Sequence, residues 1–221
     1  MIEKRFFLSL AMFALGVLSV SANAYDDDDD EMQGIPDQRS NVVKLGIFAG
    51  ATLSSMSNYD AADLGLGSGT GFLAGAAMNI HFGKKRGADP GTGPLGIQVE
   101  ALYVNHTVKT SGEDIKLNYF EVPVLLKYYV QPGFSIEAGP NICGTLSKSP
   151  DDLKLESAHI ALKDIKGFDV KATVGMAYET KSGFTANVRY HFGTSDLAGN
   201  FPCKVSALTV SVGWLFDVFK F

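Results

Sequence analysis

Phe168-Asp169-Val170-Lys171-Ala172-Thr173-Val174-Gly175-Met176-Ala177-Tyr178-Glu179 alternates without a break. Phe168, Val170, Ala172, Val174, Met176 and Tyr178 make one set, and Asp169, Lys171, Thr173, Gly175, Ala177 and Glu179 the other. Successive side chains of a strand point to opposite faces, so a strict period of 2 predicts a strand with one apolar and one polar face. The apolar set also carries an aromatic residue at each end. Ten residues at about 3.3 Å rise, tilted about 40°, span roughly 25 Å, the height of an outer-membrane apolar band between its aromatic girdles.

The same pattern continues on both sides. After Lys181-Ser182-Gly183 comes Phe184, Ala186, Val188, Tyr190 and Phe192 against Thr185, Asn187, Arg189, His191 and Gly193. The last strand sets Leu208, Val210, Val212, Trp214 and Phe216 against Ala207, Thr209, Ser211 and Gly213. Eight segments are expected, near 43–54, 69–83, 95–109, 115–130, 134–148, 168–180, 184–194 and 203–217. Gln131-Pro132-Gly133 and Lys181-Ser182-Gly183 are three-residue hairpin connections with glycine in the last place, where a left-handed residue is wanted. The first of them sets Lys127 opposite Glu137 on the polar face, an attractive cross-strand pair.

The expected fold is therefore all-β, a closed antiparallel up-and-down transmembrane β-barrel of about eight strands. Long connections near 55–68, 110–114, 149–167 and 195–202 would form the outer rim, as outer-membrane barrels keep their periplasmic turns short. The connection 84–94 is long yet falls on the short-turn side. A soluble lipocalin-like carrier would also alternate, with its apolar set inside. The aromatic ends of the apolar sets (Phe72, Phe82, Phe168, Tyr178, Trp214, Phe216) favour lipid outside. So does the polar set, where Gly46, Gly50, Gly71, Gly75, Gly139, Gly175 and Gly213 make room for long side chains. Those long side chains are Glu100, Glu121, Lys127, Glu137, Asp169, Lys171, Glu179 and Arg189, expected to form a lumen charge network, since unpaired buried charge is costly.

The ends of the chain point the same way. Lys4 and Arg5, an apolar stretch from Phe6 to Val20, and Ala22-Asn23-Ala24 read as a cleaved signal peptide over residues 1–24. Residues 25–41, with Asp26 to Asp30 and Glu31, read as a disordered acidic arm, leaving 42–221 as the barrel domain. The chain carries a net charge of −5, of which the arm contributes −6 and the leader +1, so the barrel is formally neutral. A neutral body offers no basic face for nucleic acid.

Ser211-x-Gly213-x-x-Phe216-x-Val218 and the terminal Phe221 look like the C-terminal signal read by the barrel-assembly machinery. Tyr119-Phe120-Glu121-Val122-Pro123-Val124-Leu125-Leu126-Lys127-Tyr128 resembles the Y-x-E-(I/V)-P-x-L-x-K-Y strand of the PorT-like outer-membrane β-barrel family of Bacteroidetes. Glu100 with Tyr103, and Glu137-Ala138-Gly139-Pro140, fit the same pattern. The resemblance covers roughly 43–221 and implies a Gram-negative cell outer membrane protein, embedded in outer-membrane lipid and of no one shared activity. The acidic arm and the 149–167 loop depart from it.

Catalytic, cofactor and metal sites are not expected. His81, His106 and His191 fall on the polar face and His159 in a loop, with no H-x-x-x-H, C-x-x-C or G-x-S-x-G spacing. Export permits a disulfide between Cys143 and Cys203. Strands three apart leave open whether their Cα atoms come within the roughly 7 Å a bridge needs, the alternative being two separate lumen thiols. The charged 149–167 loop suits contact with a surface or periplasmic protein partner. The expected function is a non-enzymatic envelope protein, in structure, adhesion or secretion support, with a lipid-modifying barrel enzyme or a soluble carrier as alternatives.

Overall fold

A computed structural model of the chain describes residues 41–57, 68–83, 93–109, 114–149, 152–155, 158–161, 167–194 and 204–220. The expected signal peptide and most of the acidic arm, the assembly-signal residue Phe221, and Cys203 lie outside the described residues. Ten strands are present there: β1 (Val42–Ser57), β2 (Gly69–His81), β3 (Leu95–Val108), β4 (Ile115–Gln131), β5 (Phe134–Ser149), β6 (Asp152–Leu155), β7 (Ala158–Ala161), β8 (Phe168–Glu179), β9 (Phe184–Gly193) and β10 (Lys204–Lys220). Eight of them close a barrel in the order β1-β10-β9-β8-β5-β4-β3-β2. Every neighbouring pair is antiparallel.

The eight expected segments are the eight barrel strands, with small shifts at their ends. The last strand runs further, to Lys220, because it stays paired with β1 as far as Val42. A bulge between Val43 and Lys44 absorbs the one slip in that seam. The connection 149–167, expected as a long charged loop, contains the β6–β7 hairpin, pairing Asp152 with Ala161 and Leu155 with Ala158. Four-residue strands are too short to show a period, so the sequence carried no usable signal there.

Both short turns are as expected. Gly133 and Gly183, with φ of 82° and 94°, are the positive-φ residues among the described ones. Each turn is also tied to the next strand along, because the Gly133 carbonyl accepts from Glu179 N and the Gly183 carbonyl from Leu215 N. A side chain at either position would run into that strand's backbone as well as strain the turn.

The faces settle the carrier question. Ile47, Phe72, Leu126, Val130, Met176, Val210 and Phe216 are all exposed, while Lys127 and Lys171 are each 1% exposed. A soluble carrier needs the reverse arrangement, so that alternative is overturned. Inside, two small apolar patches, Phe48 with Ala77 and Leu215 and Leu73 with Leu102 and Val104, line the β10-β1-β2-β3 side. The charged side chains come mainly from the opposite wall.

Two prolines interrupt the wall around β4. The β3–β4 ladder passes from the Val99–Val124 pair to Leu102–Glu121, omitting Pro123. The β4–β5 ladder passes from Pro123–Asn141 to Leu126–Ala138, omitting Pro140. Proline has no N–H to give, so each ladder misses its bonds there. The register is the same on both sides of each gap.

Candidate functional site in the barrel lumen

At the short-turn half of the lumen, the periplasmic half in the orientation expected from the loop lengths, the hub is a cation. Arg189 on β9 donates from both terminal nitrogens to Glu100 on β3, each at 2.7 Å, a bidentate clamp. Its Nε donates to Glu137 on β5. Gln98 donates to Glu100 and accepts from Lys127 Nζ at 3.0 Å and from Asn79 at 3.1 Å. Lys127 stands 3.8 Å from Glu137. Nearer the rim, Lys44 pairs with Glu179 at 2.5 Å and Asp217 at 3.6 Å. His81 stacks on Tyr129 with ring centres 3.8 Å apart, and its Nε2 donates to the Gly93 carbonyl at 2.7 Å.

At the outer half, the hub is an anion. Glu121 on β4 accepts from Lys171 at 2.8 Å and Asn141 at 2.7 Å, with His106 Nε2 at 3.2 Å. His106 Nδ1 meets Ser54 Oγ at 2.6 Å. Lys171 also sits 4.8 Å from the Tyr119 ring centre. His191 carries the network round the wall, with Thr173 at 2.8 Å on one nitrogen and Thr209 at 3.1 Å on the other.

Of the eight charged residues expected in the lumen, the structure therefore joins Glu100, Glu137, Lys127 and Arg189 in one group and Glu121 with Lys171 in another. Glu179 pairs apart from both, with Lys44. Asp169 lies half-buried towards the outer end of β8, opposite Cys143. The sequence reading missed Lys44, Gln98, Ser54 and Asn141, and it put Asn79 and Thr209 on the polar face without assigning them to the network. Lys44 and Gln98 had a usable signal, each sharing strand parity with a lumen residue already marked. The strand Tyr119–Tyr128 directs Tyr119, Glu121, Leu125 and Lys127 inward, all buried. It thus supplies one member to each network, which accounts physically for that combination of residue types.

The other expected sites fall as follows. Phe72, Phe168, Tyr178, Trp214 and Phe216 are exposed on the outer surface, and Phe82 is half-buried just beyond β2. Phe72 contacts Tyr103 towards the outer rim, ring centres 5.8 Å apart, and Trp214 contacts Phe184 at 6.3 Å towards the periplasmic rim. Tyr103, Tyr128, Phe184, Tyr190 and Phe192 extend these two rows. Ser211 and Gly213 face the lumen on β10, where Ser211 accepts from Asn187 at 3.3 Å, and Phe216 faces outward. Cys143 is a buried free thiol.

Ser54, His106 and Glu121 stand in the order of a nucleophile, a base and an orienting carboxylate, a relay that needs only hydrogen-bond reach. Its surroundings are those of a packed core. Ser54 is 0% exposed, which leaves no face for a substrate carbonyl, and Glu121 is already bound by Lys171.

Ail, the attachment invasion locus protein of Yersinia pestis, is a solved structure similar to this chain at 12% identity, covering 79% of this chain and 99% of its own, with a TM-score of 0.47. Neisserial surface protein A is similar at 13% identity, covering 78% and 97%, with a TM-score of 0.48. AlkL, an outer membrane protein solved in lipid bilayers, is similar at 11% identity, covering 88% and 98%, with a TM-score of 0.33. No curated protein sequence matches the chain. Residues 33–199 match the family described as outer membrane protein beta-barrel domain. With its closed eight-stranded wall, outward apolar face and this match, the chain belongs to that family of outer-membrane β-barrels.

Proposed function

We propose that this outer-membrane barrel is a non-enzymatic envelope protein that works through its outer connections, as a structural, adhesion or secretion-support component. One observation carries the reading: the lumen is filled by two buried charge networks spanning opposite walls, as an eight-stranded barrel leaves room only for side chains. Among the described residues, side chains that cross the lumen at two levels stand in the way of a solute or substrate path. Chemistry with the outside then falls to the rims, and the connections between β1 and β2, β5 and β8, and β9 and β10 are the long ones on the outer side. Of these, the β5–β8 connection carries its own hairpin and the mixed charges Asp151, Asp152, Lys154, Glu156, Lys163, Asp164 and Lys166.

The finer reading follows the sequence. The chain is exported through a cleaved signal peptide, is inserted by the barrel-assembly machinery through its β10 signal, and groups with PorT-like barrels through the Tyr119–Tyr128 strand. Its partner is a surface or periplasmic protein. A lipid-modifying enzyme built on Ser54 is the second reading, favoured only by the Ser54–His106–Glu121 contacts.

The test replaces residues 150–166 with a short Gly-Ser turn in cells that express the protein from its own locus. The shortened barrel is expected to reach the outer membrane and to keep its gel shift on boiling. Discrete protein adducts formed by photo-crosslinkers at 154 and 163 in the full chain, and none from crosslinkers at the lipid-facing positions 174 and 212, would support the reading. Adducts absent from the loop sites would remove the loop as the contact surface. Labelling of the purified barrel by a fluorophosphonate at Ser54 would replace the proposal with the enzyme.

A further inference from the structure

Among the described residues, one pair of strands stands apart from the barrel wall. β6 and β7 pair with each other and with no barrel strand. A two-stranded hairpin alone in water is marginal, whereas three or more strands sharing an apolar face hold well. The β6–β7 hairpin has such a face. Residues directly opposite each other fall on the same side of a sheet, and the register sets Leu153 against Ile160 and Leu155 against Ala158. Asp152, Lys154 and His159 fall on the other side, with Lys154 opposite His159. β6, Asp152-Leu153-Lys154-Leu155, is therefore an amphipathic edge with an anion and a cation two positions apart.

We infer, on the reading that the protein works through its outer connections, that the partner of β6 is the β6 of a second copy of this chain. The two strands pair antiparallel about a two-fold axis at Leu153 and build one four-stranded sheet in the order β7-β6-β6-β7. Charge complementarity selects this register. An axis at Leu153 sets Asp152 of each copy opposite the partner's Lys154, and the two Leu153 residues opposite each other on the apolar face. Unlike charges opposed in this way attract, and like charges repel. An axis at Lys154 would oppose the two lysines, and an axis between residues would set apolar positions against charged ones. β7 has no such self-complement, since His159 is its one ionisable residue.

A membrane suits this symmetry. Both chains sit in it the same way up, so a two-fold axis between them runs along the membrane normal. In an antiparallel pair of strands that axis stands perpendicular to the sheet, so the four strands lie flat over the two barrels. Leu153, Leu155, Ala158 and Ile160 then share the face turned to the barrels, away from water, and Asp152, Lys154 and His159 the face turned to the medium. The backbone of an edge strand is a ready template for another strand, and pairing closes it. Only Asp152 to Lys154 of each copy are opposed, so the contact is small and suits a reversible pair.

The test is disulfide trapping of the full chain in the outer membrane of expressing cells. Directly opposed residues of an antiparallel pair have Cα atoms about 4.5–5.5 Å apart, within reach of a disulfide. Leu153→Cys, in a chain also carrying Cys203→Ser, is expected to give a band of twice the monomer mass after mild oxidation. Cys143 is buried and stays out of the reaction. Adding Lys154→Asp, or instead Asp152→Lys, makes both cross-pairs like-charged, and the band should fall about tenfold. Co-expressing those two variants should restore it, because each then meets its complement. The gel shift on boiling reports that every variant is folded. A band that neither reversal weakens, or that co-expression does not restore, would overturn the self-pairing. So would no band from Leu153→Cys. In that case adducts to other proteins from a crosslinker at 154 would keep the outer connection as the contact surface, and their absence would remove both.

Discussion

The two ends of the lumen solve the same electrostatic problem in opposite ways. The periplasmic end is organised around Arg189, a planar cation clamped by two carboxylates from different strands. The outer end is organised around Glu121, a carboxylate held by one lysine and two neutral groups, Asn141 and His106. A guanidinium has five donors in a fixed fork and can hold two carboxylates at once. A carboxylate accepts from several sides and needs only one counter-charge. The first arrangement therefore concentrates charge, while the second spreads its load over neutral side chains. Buried ion pairs stabilise little relative to apolar packing, yet removing one partner is severe. The asymmetry between the ends should show in what each loses.

The largest effect is expected from Arg189→Met, which strands Glu100 and leaves Glu137 only Lys127, 3.8 Å away. About 3–5 kcal/mol of stability should be lost, read as a fall in the urea midpoint of the boiling-dependent gel shift in lipid vesicles. Lys171→Met should cost about 3 kcal/mol by the same measurement, since Asn141 and His106 remain on Glu121. Adding Glu121→Gln to Lys171→Met should recover most of that loss. Combining Arg189→Met with Lys171→Met probes the separation directly. Losses that add to within about 0.5 kcal/mol mean two independent networks, and a coupling above about 1 kcal/mol would merge them into one.

Smaller effects sharpen the comparison. Lys127 and Glu137 are opposed as the hairpin parity requires, but Lys127→Ala should cost only about 1 kcal/mol, because Arg189 still holds Glu137. A loss as large as that of Arg189→Met would make Lys127 the true hub. Ser54→Ala should change stability by no more than about 1 kcal/mol and leave the barrel as unreactive to fluorophosphonate as before.

Much of the wall was legible because its signals are local. Period 2 reports the face of a residue from its immediate neighbours, and a glycine closing a three-residue turn reports its own backbone angle. Phe168 to Glu179 could be read alone, without any partner strand. The β6–β7 hairpin was not legible, since four residues carry too few alternations to rise above a charged loop. The lumen was half legible. Parity marked Glu100, Glu121, Glu137 and Arg189 as inward, but it could not say that Glu121 and Arg189 belong to different groups.

By itself, the sequence determined which residues face inward, where the chain turns, and that lipid meets the apolar set. The tertiary structure alone decided who meets whom. Arg189 and Glu100 lie 89 positions apart and meet only because closing the wall brings β9 and β3 across one narrow lumen. Their shared height depends on the register of every ladder between them, including the bulge at Val43 and the uninterrupted register past Pro123 and Pro140. A face is fixed by the geometry of one strand, whereas a contact across a barrel is fixed by all eight at once.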